Sequence, residues 1–414
     1  MASQTTTTTE RLVIDPKWRK LPIILLIAGA VIVLAGLGYA AAFKKPELYK
    51  QFAHSYLLAF MFFLSLCLGG LFLVIVHHLF DAAWSVPVRR LAEHMACLLP
   101  VMGILFIPIA IMAKPLIYNW MQSNPHVDHA LHAKQPIFSM PGFYIIAVAL
   151  FLIWWWLSWS LRRNSLNQDK DGAAIWTYKM RKLSAGGIYI FALTLTLGAI
   201  MWMKALEHQW FSTMYGVYYF AASVWTTLAT LYLITRLLQL MGPLSGVVHT
   251  RQIHDIGVLL FAFTVFYAYI HFSQYFLIWN AAIPEETYYY VKREFGTWWQ
   301  ISLALVFGHF FIPFLALLRI DFKLKLFVMI PLCIWAWIMH FADMSFNIMP
   351  LIHRENFVLH PLDIACMMFF AGVLSMVFIK FFNSHPPYPL KDPRLSEALG
   401  VHHAGARAPI AAAD

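Results

Sequence analysis

The sequence predicts an all-α polytopic membrane protein with ten transmembrane helices. Of its 414 residues, 61% are hydrophobic and only 12% are charged, whereas a soluble domain carries about 25% charged residues. The apolar residues also form ten separate runs, and each run is long enough to cross a bilayer as a helix. The ten predicted spans are residues 21–43, 55–80, 96–118, 140–161, 184–204, 214–239, 256–279, 298–319, 324–345 and 361–382.

The membrane domain is predicted to occupy residues 21–382, between a polar N-terminal segment (1–20) and a C-terminal tail (383–414). The first residues are expected to be disordered, and the tail, rich in proline and alanine, is expected to be irregular. The four cysteines lie in or beside apolar spans without CxxC spacing. They are therefore interpreted as buried small side chains rather than disulfide or iron–sulfur ligands.

The net charge of +10 encodes membrane orientation rather than nucleic-acid binding. Most of the 30 lysines and arginines lie in the N-terminal segment, the even-numbered loops and the C-terminal tail. Positive charge is enriched on the cytoplasmic side of membrane proteins. We therefore expect both termini to be cytoplasmic and the loop around residues 284–299 to face outward.

A faint internal repeat suggests how the helices are grouped. Similar runs open spans 3 and 7, at residues 89–94 (RRLAEH) and 251–255 (RQIHD). Spans 2–5 and 6–9 are accordingly predicted to form two parallel four-helix bundles, flanked by spans 1 and 10. Chance resemblance among hydrophobic helices is the alternative.

Two spans carry polar stripes at helical spacing. The stripe on span 7 consists of Thr264, Tyr267, His271 and Gln274, with Tyr275 beside it. The stripe on span 9 consists of Trp337, His340, Asp343 and Asn347. Polar groups inside a membrane are costly unless they face protein or water. Both stripes therefore indicate an internal polar site.

Ionisable groups fall into two layers. The inner layer contains His77, His78, Asp81, His94, His254 and Asp255, and the outer layer contains Glu207, His208, His271, His340, Asp343, His360 and Asp363. Tyr267 and Tyr269 lie between the layers. Asp81 is predicted to reach His77 or His78, since it follows them by four and three residues. Because histidine titrates near neutrality, two such layers suit proton uptake and release. A single His or Asp near a helix end is more often interfacial, and His271 and His340 are the exceptions because each lies several residues inside its span.

Paired histidines also allow a haem hypothesis. A bis-histidine haem needs two histidines on different helices at matching depths, which His271 with His340, or His78 with His94, would provide. The aromatic and carboxylate neighbours favour a proton network instead. Nucleotide, phosphate and nucleophile motifs are absent, so no covalent catalysis is expected.

The run HDIGVLLFAFTVFYAYIHFSQYFLIWNAAIPEET (254–287) closely resembles the NrfD/polysulfide-reductase membrane-anchor family. Its most distinctive part is FxQYFLIWxxxIPEET, from Phe272 to Thr287. The resemblance covers nearly the whole chain. Within the family, the chain looks most like the shorter of the two ten-helix, quinol-handling membrane subunits of bacterial alternative complex III.

The resemblance implies a multi-pass subunit of the bacterial inner membrane that takes part in menaquinol oxidation and respiratory electron transport. Its implied partners are an iron–sulfur protein, a multihaem cytochrome c, a paralogous NrfD-like subunit and smaller subunits, in the lipid bilayer and without nucleic acid. The chain itself is expected to contribute a candidate site for menaquinone or menaquinol, a proton translocation path, or both, and to hold no haem, iron–sulfur cluster or other metal.

Candidate residues follow from depth and helix face. The quinol-binding candidates are His271, Gln274, Tyr275, His340 and Asp343. The proton-path candidates are His77, His78, Asp81, His94, His254, Asp255, Tyr267, Tyr269, Glu207 and His208. Two other functions stay open: a structural anchor whose polar residues serve helix packing, and an ion-coupled transporter, which would require matched broken helices.

Overall fold

A computed structural model of the chain describes residues 14–400. The predictions for the start of the N-terminal segment and for the end of the tail lie outside these residues. Within this range the chain is helical and contains no β-strand. Ten helices of the described chain are long and apolar enough to cross a membrane, which confirms the predicted number. Spans 1 to 10 are Lys17–Ala42, Pro46–Leu79, Val86–Ile117, Met140–Asp171, Ala174–Trp202, Tyr215–Leu240, Thr250–Ala281, Trp298–Leu318, Leu326–Leu351 and Pro361–Ser384.

Several helices extend beyond the apolar runs that predict them. Span 3 begins ten residues before the predicted position, and span 4 continues through a polar segment to Asp171. Helical hydrogen bonding propagates through polar residues once a turn has formed, so apolarity marks only part of each helix. Local signals fix the ends of span 4. Ser139 Oγ accepts a 3.1 Å hydrogen bond from the Gly142 amide, and Gly172 ends the helix with a φ of 72°.

Two spans contain irregular turns. Span 3 is divided into Val86–Ala96, Leu99–Leu105, Ile107–Met112 and a π-helical turn at Ala113–Ile117. Span 8 is divided into Trp298–Ala304, a π-helical segment at Leu305–Phe311 and Ile312–Leu318. The short helices outside the spans are Asn119–Met121, His129–His132, Lys204–Glu207, Pro284–Val291, Asp321–Lys323 and Leu395–Ala398. Since π-helical turns are rare and often accompany functional residues, the segment in span 8 is of particular interest.

The connections alternate between two ends of the helical assembly. The end that we call the termini face consists of residues 80–85, 172–173, 241–249, 319–325 and 385–400. The opposite end, the loop face, consists of residues 43–45, 118–139, 203–214, 282–297 and 352–360. The loop face carries the longer connections, including the helix Pro284–Val291.

Span 2 is the central helix and packs on spans 3, 5, 6, 9 and 10. In the first half of the chain (spans 2–5), span 4 packs on spans 3 and 5. In the second half (spans 6–9), spans 7 and 9 each pack on spans 6 and 8, and span 1 packs on span 10. Gly69 allows span 2 to pack closely against span 6. A Cβ at this position would lie 2.1 Å from Thr227 Oγ1 of span 6, so a larger residue would clash.

Candidate functional site

A fully buried carboxylate, Asp343, lies in the loop-face part of span 9. Tyr218 of span 6 donates a short hydrogen bond to Asp343 Oδ1 and accepts one of 2.8 Å from Asn347 Nδ2. Asn347 Oδ1 accepts hydrogen bonds from Tyr215 at 3.0 Å and from Tyr289 at 2.9 Å. Asp343 Oδ2 is buried without a hydrogen-bond partner among residues 14–400. These five residues, which we call the carboxylate cluster, therefore retain one open acceptor.

The helix Pro284–Val291 and the residues after it cover the carboxylate cluster on the loop face. The guanidinium of Arg293 lies 3.5 Å from the centre of the Tyr289 ring and donates to Phe346 O at 2.9 Å. It also forms a 3.1 Å ion pair with Glu207. Burial raises the pKa of Tyr289, so its hydroxyl stays protonated at neutral pH and can donate. Glu207, predicted as a proton-path residue, thus lies in an ion pair at this covering layer.

An aromatic stack connects the carboxylate cluster to span 8. The imidazole of His309, in the π-helical segment, lies between the Trp225 and Tyr267 rings, with centroid distances of 3.8 and 3.7 Å. The Tyr267 ring in turn lies 5.7 Å from His271, which is also 5.7 Å from Tyr218 of the cluster. Both nitrogens of His309 and the Tyr267 hydroxyl are buried without partners in the described chain. The stack therefore places three unpaired polar atoms beside the cluster.

A cavity of about 590 Å³ opens between spans 7 and 8. Most of its wall is apolar, and the side chains at its rim, such as Phe272 and Trp299, are exposed on the outer surface of the helices. Its polar and tyrosine lining consists of Tyr267, Tyr269, His271, Tyr275, Tyr290, Glu294 and Ser302. Tyr267 and His271 belong to both this cavity and the aromatic stack. The span 7/8 cavity and the carboxylate cluster are therefore separated by a single layer of side chains.

The first half contains a groove in the corresponding place, between spans 3 and 4. It measures about 700 Å³. Aliphatic side chains and phenylalanines line it, together with Trp155 and Tyr144, whose hydroxyl donates to Ala110 O at 3.1 Å. The span 3/4 groove thus resembles the span 7/8 cavity in position and size but has no counterpart of His271 and Glu294 in its lining.

His340 links the two halves instead of lining the span 7/8 cavity. It is fully buried, and its Nε2 lies 2.9 Å from Ser65 Oγ of span 2. Its ring packs 4.9 Å from that of Phe62, and its Nδ1 has no partner within the described part of the chain. His340 and Asp343 are one helical turn apart on the same face of span 9, where His340 contacts span 2 and Asp343 contacts span 6.

A second polar cluster lies at the termini face of the first half. Glu93 of span 3 accepts hydrogen bonds from Arg89 at 3.1 Å, Arg90 at 2.8 Å and Arg162 at 3.2 Å. All four side chains are at least 90% buried. Arg90 also pairs with Asp169 at the end of span 4. We call these five residues the arginine cluster.

The C-terminal tail completes the arginine cluster. Asp392 is buried and accepts hydrogen bonds from Arg89 at 2.6 Å and from Arg394 at 3.0 Å. Burial alone would raise the pKa of Asp392, but the two arginines hold it below its ordinary value. Further hydrogen bonds hold the tail, among them those from Leu390 N to Asp169 Oδ1 and from Gln252 Nε2 to Ala398 O, both at 2.9 Å. Residues 385–400 therefore form a folded cover over the cluster.

Three predicted histidines lie beside the arginine cluster. Arg89 Nη1 donates to His77 Nε2 at 2.8 Å, and His77 Nδ1 lies 2.5 Å from Ser85 Oγ. Since a guanidinium only donates, Nε2 carries no proton and His77 is neutral. Both nitrogens of His78 and of His94 are buried without partners in residues 14–400. Of the six residues of the predicted inner layer, these three histidines therefore lie together at the termini face.

The prediction that Asp81 reaches His77 or His78 is wrong. Span 2 ends at Leu79, and Asp81 has a positive φ of 55°, which turns its side chain away from the helix face. Its carboxylate is half exposed and pairs instead with Arg181 at 2.5 Å and Arg394 at 2.6 Å.

Other predicted residues lie outside the polar interior. Tyr269 is 64% exposed at the rim of the span 7/8 cavity rather than between two internal layers. His254 and Asp255 are 3.6 Å apart and partly exposed at the start of span 7, away from the arginine cluster. His208 forms a 2.7 Å pair with Asp128 at the loop face.

Gln274 belongs to the polar stripe of span 7, and Tyr275 lies beside it. The stripe itself is confirmed, since Thr264, Tyr267 and Gln274 are buried and His271 is partly buried. Gln274 accepts from Ser212 and donates to Tyr290, both at 2.9 Å, behind the cavity wall. Tyr275 faces the span 7/8 cavity.

Several residues of these sites were not predicted. His309 is the main one, and the only sequence signal for it is a histidine in the middle of an otherwise apolar span. Tyr218 and Tyr289 were missed because tyrosines are common at membrane interfaces. The arginines of span 3 were assigned to membrane orientation. The spacing of Glu93, four residues after Arg89 and three after Arg90, is the sequence signal that could have paired them.

No family model matches the chain, and no curated protein is significantly similar to it. Within the described residues, no group of three or more His, Cys, Asp or Glu side chains is arranged to hold a metal ion.

Proposed function

We propose that the chain is the quinol-binding and proton-handling membrane subunit of a respiratory quinol:electron-acceptor oxidoreductase. The observation that carries the proposal is the span 7/8 cavity. It is open to the lipid-facing surface, it is largely apolar, and His271 and Tyr267 in its wall lead to the buried Asp343.

The chemistry of quinols fits this donor set. A quinol reaches its site through the membrane, so it requires an apolar opening for its tail and polar groups at depth for its ring hydroxyls. When bound, it supplies two electrons and two protons. His271 is the imidazole in the cavity wall, and its ring nitrogens can form a hydrogen bond with a ring hydroxyl. Asp343 Oδ2 is an open acceptor behind it.

Each side chain then has a defined role. Tyr267 separates the cavity from Asp343 and carries an unpaired hydroxyl, so it can pass a proton inward. Tyr218 and Asn347 hold Asp343 in place through their hydrogen bonds. Trp225 and His309 stack against Tyr267 and keep bulk water from its ring. Electrons would leave through a partner subunit at the loop face.

We further propose that the chain belongs to the NrfD-like membrane subunits of alternative complex III. The run from Phe272 to Thr287 supports this assignment. The expected surroundings are an iron–sulfur protein, a multihaem cytochrome c and a paralogous NrfD-like subunit in the bacterial inner membrane. The positive-inside distribution of lysine and arginine supports cytoplasmic termini, and the packing within spans 2–5 and within spans 6–9 supports two parallel four-helix bundles.

A structural anchor is the second candidate function. Buried polar side chains that hold neighbouring spans together favour it. Trp154 Nε1 donates to Thr194 at 2.9 Å, and Trp337 Nε1 donates to Thr230 at 2.8 Å. Such bonds stabilise helix packing without any chemistry.

Photolabelling separates the two functions. The complex, purified in mild detergent, is irradiated with a photoreactive menaquinone analogue, and the labelled peptides are identified by mass spectrometry. We expect labels in spans 7 and 8 that fall at least tenfold in His271→Leu. The span 3/4 groove is an internal control for partition into any lipid-facing groove, and Tyr189→Phe, at an exposed tyrosine of span 5, is the matched variant. Equal labelling of both grooves, or no effect of His271→Leu, would leave the anchor function.

A further inference from the structure

A third cavity lies where the two halves meet spans 1 and 10. It measures about 250 Å³ and extends from the termini face toward the middle of the membrane. Its outer part is formed by Trp18 of span 1, Met241 at the end of span 6 and Ile379 of span 10. Its inner part reaches Phe63 of span 2 and Trp337 of span 9. The cavity is thus a slot along the membrane normal within one leaflet.

The walls of this slot suit a hydrocarbon chain and exclude a polar ring. Most of its lining side chains are aliphatic or aromatic. Of the few polar atoms, Thr230 Oγ1 already accepts a hydrogen bond from Trp337 Nε1 at 2.8 Å. No charged side chain lines the slot in the described part of the chain. A head group inside it would lose its hydration without replacement.

The mouth of the slot carries positive charge. Lys17, Arg19 and Lys20 flank Trp18 in the first turns of span 1, and all three are exposed. Among residues 14–400, Asp15 pairs with this segment: its carboxylate lies 3.9 Å from Lys17 Nζ and is itself half exposed. The segment 15–20 therefore keeps an excess of positive charge at the level of lipid head groups, where the indole of Trp18 also lies.

We propose that this slot binds one acyl chain of an anionic diacyl phospholipid from the leaflet at the termini face. Lys17, Arg19 and Lys20 hold the phosphate outside the slot. Basic side chains at a crevice between transmembrane helices are the general means of recognising anionic lipids. The bound chain fills the junction between span 1, span 6 and span 10, so the lipid joins the peripheral spans to both halves.

The proposal is tested with the full-length chain in nanodiscs that contain phosphatidylglycerol with a photoreactive group in its acyl chain. We expect cross-links to peptides that contain Leu237 and Ile379. Replacing Lys17, Arg19 and Lys20 by glutamine should lower the cross-linking by about fivefold for each charge removed. The matched control is Lys44→Gln with Lys45→Gln, which removes two exposed charges at the opposite end of span 1.

A second variant keeps the charges and fills the slot. Ala371→Phe places a ring in the lining contributed by span 10 and should lower cross-linking at Leu237 while leaving that of other lipid-facing peptides unchanged. Labelling by photoreactive phosphatidylcholine should be weaker than that by phosphatidylglycerol. Equal labelling by the two lipids, unchanged labelling in the triple glutamine variant, or no cross-link to the slot in the wild-type chain would each overturn the proposal.

Discussion

The two polar clusters lie at opposite ends of the two halves of the chain. In spans 2–5 the arginine cluster and His77, His78 and His94 lie at the termini face. The loop-face part of these spans contains packed aromatic rings such as Phe106 and Trp202, and a smaller polar contact in which Gln51 and Ser55 donate to Asp363 of span 10. In spans 6–9 the carboxylate cluster lies at the loop face, whereas the termini-face part buries side chains such as Thr235 and Gln252 without a buried ion pair among residues 14–400. The two halves thus differ in where their main polar clusters lie and in what those clusters contain.

The difference shows which features of a lipid-facing groove point to a ligand. The span 3/4 groove and the span 7/8 cavity have similar sizes and similar apolar rims. Only the second has an imidazole in its wall and a buried carboxylate behind it. An apolar groove alone indicates contact with lipid, whereas the polar wall indicates chemistry.

The two polar clusters are separated inside the chain. The bond between His340 and Ser65 reaches span 2 near its middle. From Ser65 to His77, span 2 presents only Cys67 and apolar residues over about 18 Å of helix. The side chains of span 2 thus form no continuous polar path between the clusters.

The largest effect is expected from breaking the arginine cluster. Glu93→Gln removes the carboxylate that three buried arginines share, and unpaired buried charge costs roughly 3–5 kcal/mol. The thermal unfolding of the purified chain should shift to markedly lower temperature. Glu47→Gln, at an exposed position on span 2, is the control, and equal unfolding temperatures for the two variants would contradict the cluster's structural role.

The next prediction tests the chemistry of the second half. Asp343→Asn preserves the size of the side chain and an acceptor for Tyr218 but removes the proton-accepting carboxylate. Quinol oxidation by the intact complex should fall by about 100-fold, with little change in unfolding temperature. Asp255→Asn alters a partly exposed carboxylate of the same half and should leave turnover unchanged. Normal turnover in Asp343→Asn would remove this carboxylate from the proposed proton route.

A smaller effect is expected where the halves join. Ser65→Ala leaves His340 Nε2 buried without its partner, which costs about 2 kcal/mol. The variant should unfold at a lower temperature than wild type. Chemical cross-linking should show that spans 2 and 9 remain in contact. Ser158→Ala is the control, since that buried hydroxyl donates only to a carbonyl of its own helix. A shift no larger than that of the control would show that the bridge contributes little.

The smallest effect is expected from Lys204, a buried cation at the loop face that differs from Arg293 in having no carboxylate partner among the described residues. Arg293 pairs with Glu207, but Lys204 forms no ion pair within residues 14–400 and lies 5.6 Å from the Phe211 ring. Burial, with a contribution from Lys134, lowers the pKa of Lys204 to about 7.

Because protonation of Lys204 is less favourable in the folded than in the unfolded chain, stability should increase as pH rises through this pKa. We expect a gain of about 1 kcal/mol between roughly pH 6 and 8, measured by thermal unfolding. Lys204→Met should be more stable than wild type and lose this dependence, whereas Lys292→Met, at an exposed site, should keep it. An unchanged pH profile in Lys204→Met would assign the dependence to another group.

The sequence predicts the helices well because each span needs a long run of apolar residues to cross the bilayer. It also predicts the buried stripe of span 7, since helical spacing identifies a face. It does not predict partners between spans. Asp81 was assigned to the histidines by spacing, but the end of the helix turned it toward Arg181. The sequence also does not predict the position of His309. Its imidazole is placed by a π-helical segment and packs between Trp225 and Tyr267, which are distant in sequence.

Because Asp392 follows span 10 in the sequence, the arginine cluster obtains its third carboxylate late in the synthesis of the chain. Arg89, Arg90 and Arg162 are synthesised early, together with only two buried carboxylates, Glu93 and Asp169. The third carboxylate lies after span 10, so the positive excess in the first half persists until all ten spans have been synthesised. A chain truncated before the tail would lack Asp392, and its three buried arginines would share only two carboxylates. The first half thus depends for its charge balance on a residue that is synthesised after every span.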